Sequence, residues 1–362
     1  MNKKLILMVV AVMLAAIALA GCGSEKKEAG TTGDPEPSDK ATTSGAADPA
    51  PSESKGAGLK IGMATDGGGV NDKSFNQGAW EGLQKLAEET GVTVKYLESK
   101  TDSDYIPNLN TFVKDDYSLT WGIGFLFVDA MKTIAEQNPD AKLAIIDNVV
   151  EASNVESVTF AENEGSFLVG VVAGLTTKSN KIGFVGGMEI PVIKKFEAGF
   201  AAGVAAVNPD AKVLINYVGD FNKPDIGKQQ AATMYNDGAD IIFQAAGSSG
   251  NGVFTEALDR FKSGGKVWVI GVDKDQSLEF GDDVTLTSMM KGVEAAVLKV
   301  SKDVIDGKFE GGKIVELGLK DNGVGLPAVN KNVPDEVLAK VEEFKAKIIS
   351  GEIVVPKEPA AK

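Results

Sequence analysis

Apolar residues along this chain follow two alternating patterns. Short continuous runs at 59–64, 92–97, 121–125, 143–147, 182–185, 213–218, 241–245 and 267–272 read as buried strands. The segments between them carry apolar residues at helical spacing. Within 74–90, Phe75, Ala79, Leu83 and Leu86 share one face, Ser74 and Gln77 are spaced as a capping box, and Gly91 is a stop. Segment 129–137 ends before Asn138-Pro139, and 191–207 opens with proline in its first turn and ends before Asn208-Pro209. Segments 224–236 and 252–263 follow the same plan. Strand and helix in steady alternation predict a parallel sheet covered by helices.

The patterned part runs from 59 to about 356, roughly 300 residues, more than one hydrophobic core usually serves. The segment Asn138-Pro139-Asp140-Ala141-Lys142 before one strand recurs as Asn208-Pro209-Asp210-Ala211-Lys212 before another. Two similar α/β lobes fit this better than one oversized sheet.

The N-terminal stretch breaks the pattern. Lys3 and Lys4 precede an apolar run, 5–20, which ends in Leu19-Ala20-Gly21-Cys22. A short basic segment, an apolar core and small residues at its end form a secretory signal, 1–21. Leu-Ala-Gly-Cys resembles the lipobox of bacterial lipoproteins, in which the cysteine is diacylated and becomes the first mature residue. From 23 to 58, after Cys22, follow Gly, Ser, Thr, Ala, Pro, Glu, Asp and Lys with no large apolar side chain. Such a segment buries too little to offset chain entropy and predicts a disordered spacer. The chain is thus expected to be exported and held by lipid on the outer face of the cell membrane.

Composition narrows the chemistry. Cys22 is the only cysteine and there is no histidine. An internal disulfide, a cysteine zinc site and a Ser-His-Asp arrangement are therefore excluded, although carboxylate or lysine catalysis stays open. The formal net charge is −14, which argues against nucleic acid as a partner, because phosphate binding needs clustered Lys and Arg.

In parallel α/β sheets ligands sit beyond the carboxyl ends of the strands, so the loops there hold the candidate chemistry. The first, 65–76, is glycine-rich and enters a helix, but it holds Asp66 and Asp72, which repel an anion, and no phosphate-loop motif occurs. Gly122-Ile123-Gly124-Phe125 offers an aromatic beside two glycines. Asp147-Asn148 and Gly271-Val272-Asp273 end their strands in carboxylates, and 246–252 is a small-residue loop around Gly247. One Asp or Asn after a strand more often caps a turn. Together, carboxylates, amides and aromatics with little positive charge suit a neutral ring that bears hydroxyls.

With the lipobox, these loops resemble the basic membrane protein family, lipoproteins that serve as substrate-binding components of ABC importers. The segments that carry the resemblance are 68–76 (GGVNDKSFN), 77–82, 122–125, 144–147, 164–167, 181–187, 191–200, 271–276 and 288–291. The resemblance implies a type I periplasmic-binding fold, in which two doubly wound α/β lobes are joined by three crossovers, 59–161 plus 274–315 forming one lobe and 162–273 plus 316–356 the other, with 357–362 a tail. It implies a nucleoside ligand, of purine type, and no cofactor. Phe75 and Phe196 would sandwich the base and Asp147 would read its edge. Asp273 would hold the ribose hydroxyls with help from Lys291. Asp66, Asp72 and Asn76 would line the first-lobe side, with Phe125 nearby, and Gly247 would allow close approach from the second. The implied partners are an ABC permease with its ATPase subunits and the membrane, through Cys22; the receptor itself would be a monomer and not an enzyme. Many members carry two aspartates where this chain has Asn71-Asp72, which bears on base preference. Alternatives are the same fold binding a sugar or signalling molecule, a hydrolase using Asp66, Asp72 and Asp273 around a cation, and a surface interaction protein.

Overall fold

The computed structural model describes residues 55–360. Cys22, the signal segment and the spacer up to residue 54 lie outside the described residues. Among the described residues no helix is long and apolar enough to cross a membrane.

Two six-stranded sheets organise the chain. The first contains β1 (Lys60–Thr65), β2 (Thr93–Glu98), β3 (Leu119–Ile123), β4 (Leu143–Ile146), β5 (Val155–Phe160) and β11 (Ile314–Leu317). Its order is β11-β5-β4-β3-β1-β2, with every pair parallel. The second contains β6 (Lys181–Gly186), β7 (Lys212–Tyr217), β8 (Ile241–Ala245), β9 (Trp268–Asp273), β10 (Thr285–Lys291) and β12 (Val324–Gly325), ordered β12-β10-β9-β8-β6-β7. Only the short β12 runs antiparallel to its neighbour. The chain changes sheets after β5, after β10 and after β11, which gives the three crossovers of a bilobal α/β fold.

The central strands are apolar because helices cover both faces of each sheet. Ile61, Met63, Trp121, Ile123, Ile145 and Phe243 are wholly buried. On the first sheet lie α1 (Phe75–Thr90), α2 (Tyr105–Lys114), α3 (Val128–Gln137) and, added from late in the chain, α9 (Val293–Ile305). Trp121 Nε1 donates to Ser301 Oγ at 3.0 Å and ties α9 to the sheet. The second lobe holds α4 (Glu162–Thr176), α5 (Pro191–Val207), α6 (Pro224–Asn236), α7 (Gly250–Lys262), α8 (Ser277–Phe280) and α10 (Asp335–Ile349). Helices α4 and α5 meet backbone to backbone: a Cβ on Gly203 would lie 2.0 Å from the Phe167 carbonyl oxygen, and one on Gly199 2.1 Å from that of Asn163.

Several boundaries differ from the sequence reading. Residues 285–291, expected with the first lobe, pair with β9 as β10 of the second sheet, so the return crossover falls at Gly292. Residues 316–317, expected with the second lobe, pair with Thr159 and Phe160 in the first sheet. The end of the expected spacer is docked, because the Gly56 N–H donates to the Thr90 carbonyl at 2.9 Å and closes the C-terminus of α1. Phe125 leaves its strand: Gly124 turns the backbone at φ 112° and 125–127 form a 3₁₀ turn.

Candidate functional site

The two sheets turn their carboxyl ends toward each other across a cavity of about 600 Å³, counting its mouth, a common size for a small-molecule site. All ten candidate residues line it: Asp66, Asp72, Phe75, Asn76, Phe125 and Asp147 from the first lobe, Phe196, Gly247, Asp273 and Lys291 from the second. The sequence reading did not single out Ile190, Ile193 or Phe221, which also face the cavity. Phe221 follows β7 and Ile190 follows β6, so the strand-end rule that selected the others reaches these two.

Strand ends aim the side chains. Asp147 after β4 and Asp273 ending β9 both adopt left-handed backbone, with φ 68° and 65°. This conformation is uncommon outside glycine, though tolerated by Asp, and it turns both carboxylates into the cleft. At the loop after β1, Asp72 does what was expected of Ser74 and Gln77. Its carboxylate accepts the N–H groups of Ser74 (3.0 Å), Asn76 (2.9 Å) and Gln77 (3.0 Å), and thereby caps α1. No capping box forms, because Ser74 Oγ instead donates to Asp273 in the other lobe, and Gln77 donates to Glu81 and Glu279.

The floor is electrostatic. Lys291 Nζ lies 2.5 Å from Asp147 Oδ2 and 3.8 Å from Glu162 Oε1, its side chain 2% exposed. It is bonded to Asp147 and also lies near enough to Asp273, the carboxylate it was expected to assist, to lower that group's pKa. Burial opposes the lysine charge, but Asp147, Asp273 and Glu162 outweigh it and hold its pKa above the ordinary range. Burial pushes the Asp72 carboxyl up to about 7, against the lowering effect of the three N–H donors. It raises Asp66 as well, against the bonds from Asn76 and Gly68, and Asp273, against Lys291 and Ser74. Asn76 Oδ1 and Asp147 Oδ1 are buried with no hydrogen-bond partner, leaving two acceptors for an incoming donor.

The lobes are closed on each other. Second-lobe residues grip the loop before α1 and α1 itself: Asn251 donates to the Asp72 carbonyl (3.2 Å), Gln276 to the Lys73 carbonyl (2.9 Å), and Lys274 pairs with Glu81 on α1 (2.6 Å). Asp66, Asp72 and Asp273 do not converge as a cation set, since each is held by its own donors. Among the described residues no group of three metal-ligating side chains is found.

Two α/β lobes shut on one cavity give the architecture of bilobal ligand-binding proteins. The sequence profile of the ABC transporter substrate-binding proteins of PnrA-like type matches residues 59–359, and the chain belongs to that family. It is 42% identical to the ABC transporter nucleoside-binding protein BmpA of Lactococcus lactis subsp. cremoris, over 98% of this chain and 99% of the relative. It is 49% identical to the CD4+ T-cell-stimulating antigen of Listeria monocytogenes serovar 1/2a, over 83% of this chain and 88% of the relative. Among solved structures it resembles an ABC transporter solute-binding protein of Aeropyrum pernix K1, with TM-score 0.77 and 29% identity, covering 83% of this chain and 94% of that one.

Proposed function

We propose that this protein is a lipid-anchored receptor that captures a purine nucleoside between its lobes and delivers it to an ABC importer. The observation that carries the reading is the convergence of two ring-bearing residues, Phe75 and Phe196, with unpartnered acceptors on Asp147 and Asn76 in one closed cavity. A base stacks on the rings and donates its N–H groups to Asp147, while ribose hydroxyls donate to Asp273. Asp72 holds the α1 end in place for these contacts. Four carboxylates against a single ammonium favour a neutral ligand over a phosphorylated one. The name of the Lactococcus relative, nucleoside-binding, supports the ligand class. Transport energy comes from the separate ATPase subunits.

Thermal-shift screening against inosine, guanosine, adenosine, uridine, ribose and galactose tests this. A bound nucleoside raises the melting temperature by mass action. Stabilisation by a free sugar and by no nucleoside would overturn the reading.

A further inference from the structure

Lys291 is caught between two carboxylates, and only one of them bonds it. Its ammonium is 2.5 Å from Asp147 and 3.8 Å from Glu162 Oε1. It also lies 4.7 Å from the centre of the Phe75 ring and 5.6 Å from that of Phe196, beside the gap where a base would stack. A ring that enters this gap takes over the aromatic partners of the ammonium, and a base edge that engages both oxygens of Asp147, the free Oδ1 and the Oδ2 that Lys291 holds, takes over its carboxylate partner too. A buried ammonium stripped of its acceptor is costly, so the lysine must have another place to go.

Glu162 provides that place. It is the first residue of α4, directly after the crossover from β5, and is fully buried. Lys195 holds one oxygen, donating to Glu162 Oε2 at 3.1 Å and to the Phe160 carbonyl at 3.1 Å. The other oxygen, Oε1, has no hydrogen-bond partner and faces Lys291. We propose that Glu162 is a positioning residue for ligand capture, whose free oxygen takes over the Lys291 ammonium when the ligand engages Asp147. The lysine thereby passes from a first-lobe carboxylate to one at the hinge, and Asp147 is released to read the ligand. This rests on the nucleoside reading above.

Calorimetric titration of inosine, guanosine and adenosine into wild type, E162Q, D147N and the double variant tests the proposal. E162Q is expected to weaken the tightest nucleoside about ten-fold or more in the wild-type background, and less than about two-fold in D147N. In D147N the lysine already rests on Glu162 before binding, so no transfer is lost. Equal losses in the two backgrounds would mean a merely structural role and overturn the inference while leaving the nucleoside reading intact. A wild type that binds none of the three removes both. Melting curves establish that each variant folds. Should E162Q not fold, E162D, too short by a methylene to reach Lys291, is expected to show the same non-additivity at smaller amplitude, and additive losses there would equally overturn the proposal.

Discussion

Phe75 illustrates how one residue can carry two functions that compete. Its position in the helical stripe with Ala79, Leu83 and Leu86 reads as core, yet those three are wholly buried while Phe75 is only half-buried and lines the cavity. Helical periodicity alone cannot separate these cases, since the first turn of α1 projects past the sheet into the cleft; the family resemblance, not the stripe, pointed to the cavity. Phe75→Ala should weaken nucleoside binding about ten-fold, the scale of one aromatic contact with its buried area, while Phe75→Tyr keeps most of the affinity. Equal binding by all three proteins in calorimetry would mean that the ligand makes no stack there, as expected of a sugar. Asp72 was legible as a cavity residue, but its capping of three N–H groups depends on how the loop folds back. Because its folded pKa is about 7 and its unfolded value near 3.8, the folded state binds the extra proton between those limits. The sign follows: Asp72 makes stability fall as pH rises from about 4 to 7, with no further change above. Asp72→Asn, measured by urea unfolding across that window, should gain stability relative to wild type with rising pH. Parallel curves for the two proteins would exclude the assignment.

At the level of elements, the pattern revealed six interior strands by their continuous apolar runs, and with them the edge strands β2 and β7. The four missed strands lack that signal. In β10 the buried Thr285, Thr287 and Ser288 replace apolar residues, β11 is an edge strand with Ile314 over half exposed, and β12 has two residues. In β5 the buried Glu156 and Ser157 interrupt the run. Helix α4 escapes for the opposite reason: Phe167–Ala173 is apolar all round, so no stripe marks it, and burial between α5 and the sheet explains the composition. The glycines that permit this packing give a contrast within the helices. Gly203→Ala puts a methyl 2.0 Å from a carbonyl that cannot move without shifting α4, and should cost about 1–3 kcal/mol or more. Gly78→Ala meets nothing within 4 Å and should gain about 0.5–1 kcal/mol from helix propensity. Chemical denaturation of the two variants should move in opposite directions, and a stable Gly203→Ala would show that the α4–α5 contact is looser than described.

On the scale of the whole molecule, attachment and closure are separate matters. If Cys22 is the lipid anchor, the protein fractionates with membranes and Cys22→Ser releases it, whereas a wild-type chain found only in the medium would dismiss the anchor. Closure is read at the seam. The Lys274–Glu81 pair joins the lobes at a partly exposed position away from the cavity, with Glu279 close by through Gln77. Lys274→Glu would replace an attraction with a group of like charges across the seam. An open-to-closed equilibrium converts that penalty directly into affinity, because the ligand must repay it on binding. Nucleoside affinity should fall about three- to ten-fold, through faster dissociation, with the core untouched and the melting temperature of the free protein little changed. Added salt should restore much of the loss, since partly exposed charges are screened within a Debye length. Small-angle scattering should show a larger ligand-free radius for the variant that returns to the wild-type value on saturation. An unchanged affinity at low salt would mean that closure is held by the hydrogen bonds of Ser74, Gln276 and Asn251 alone, and that the seam charges have no part in it.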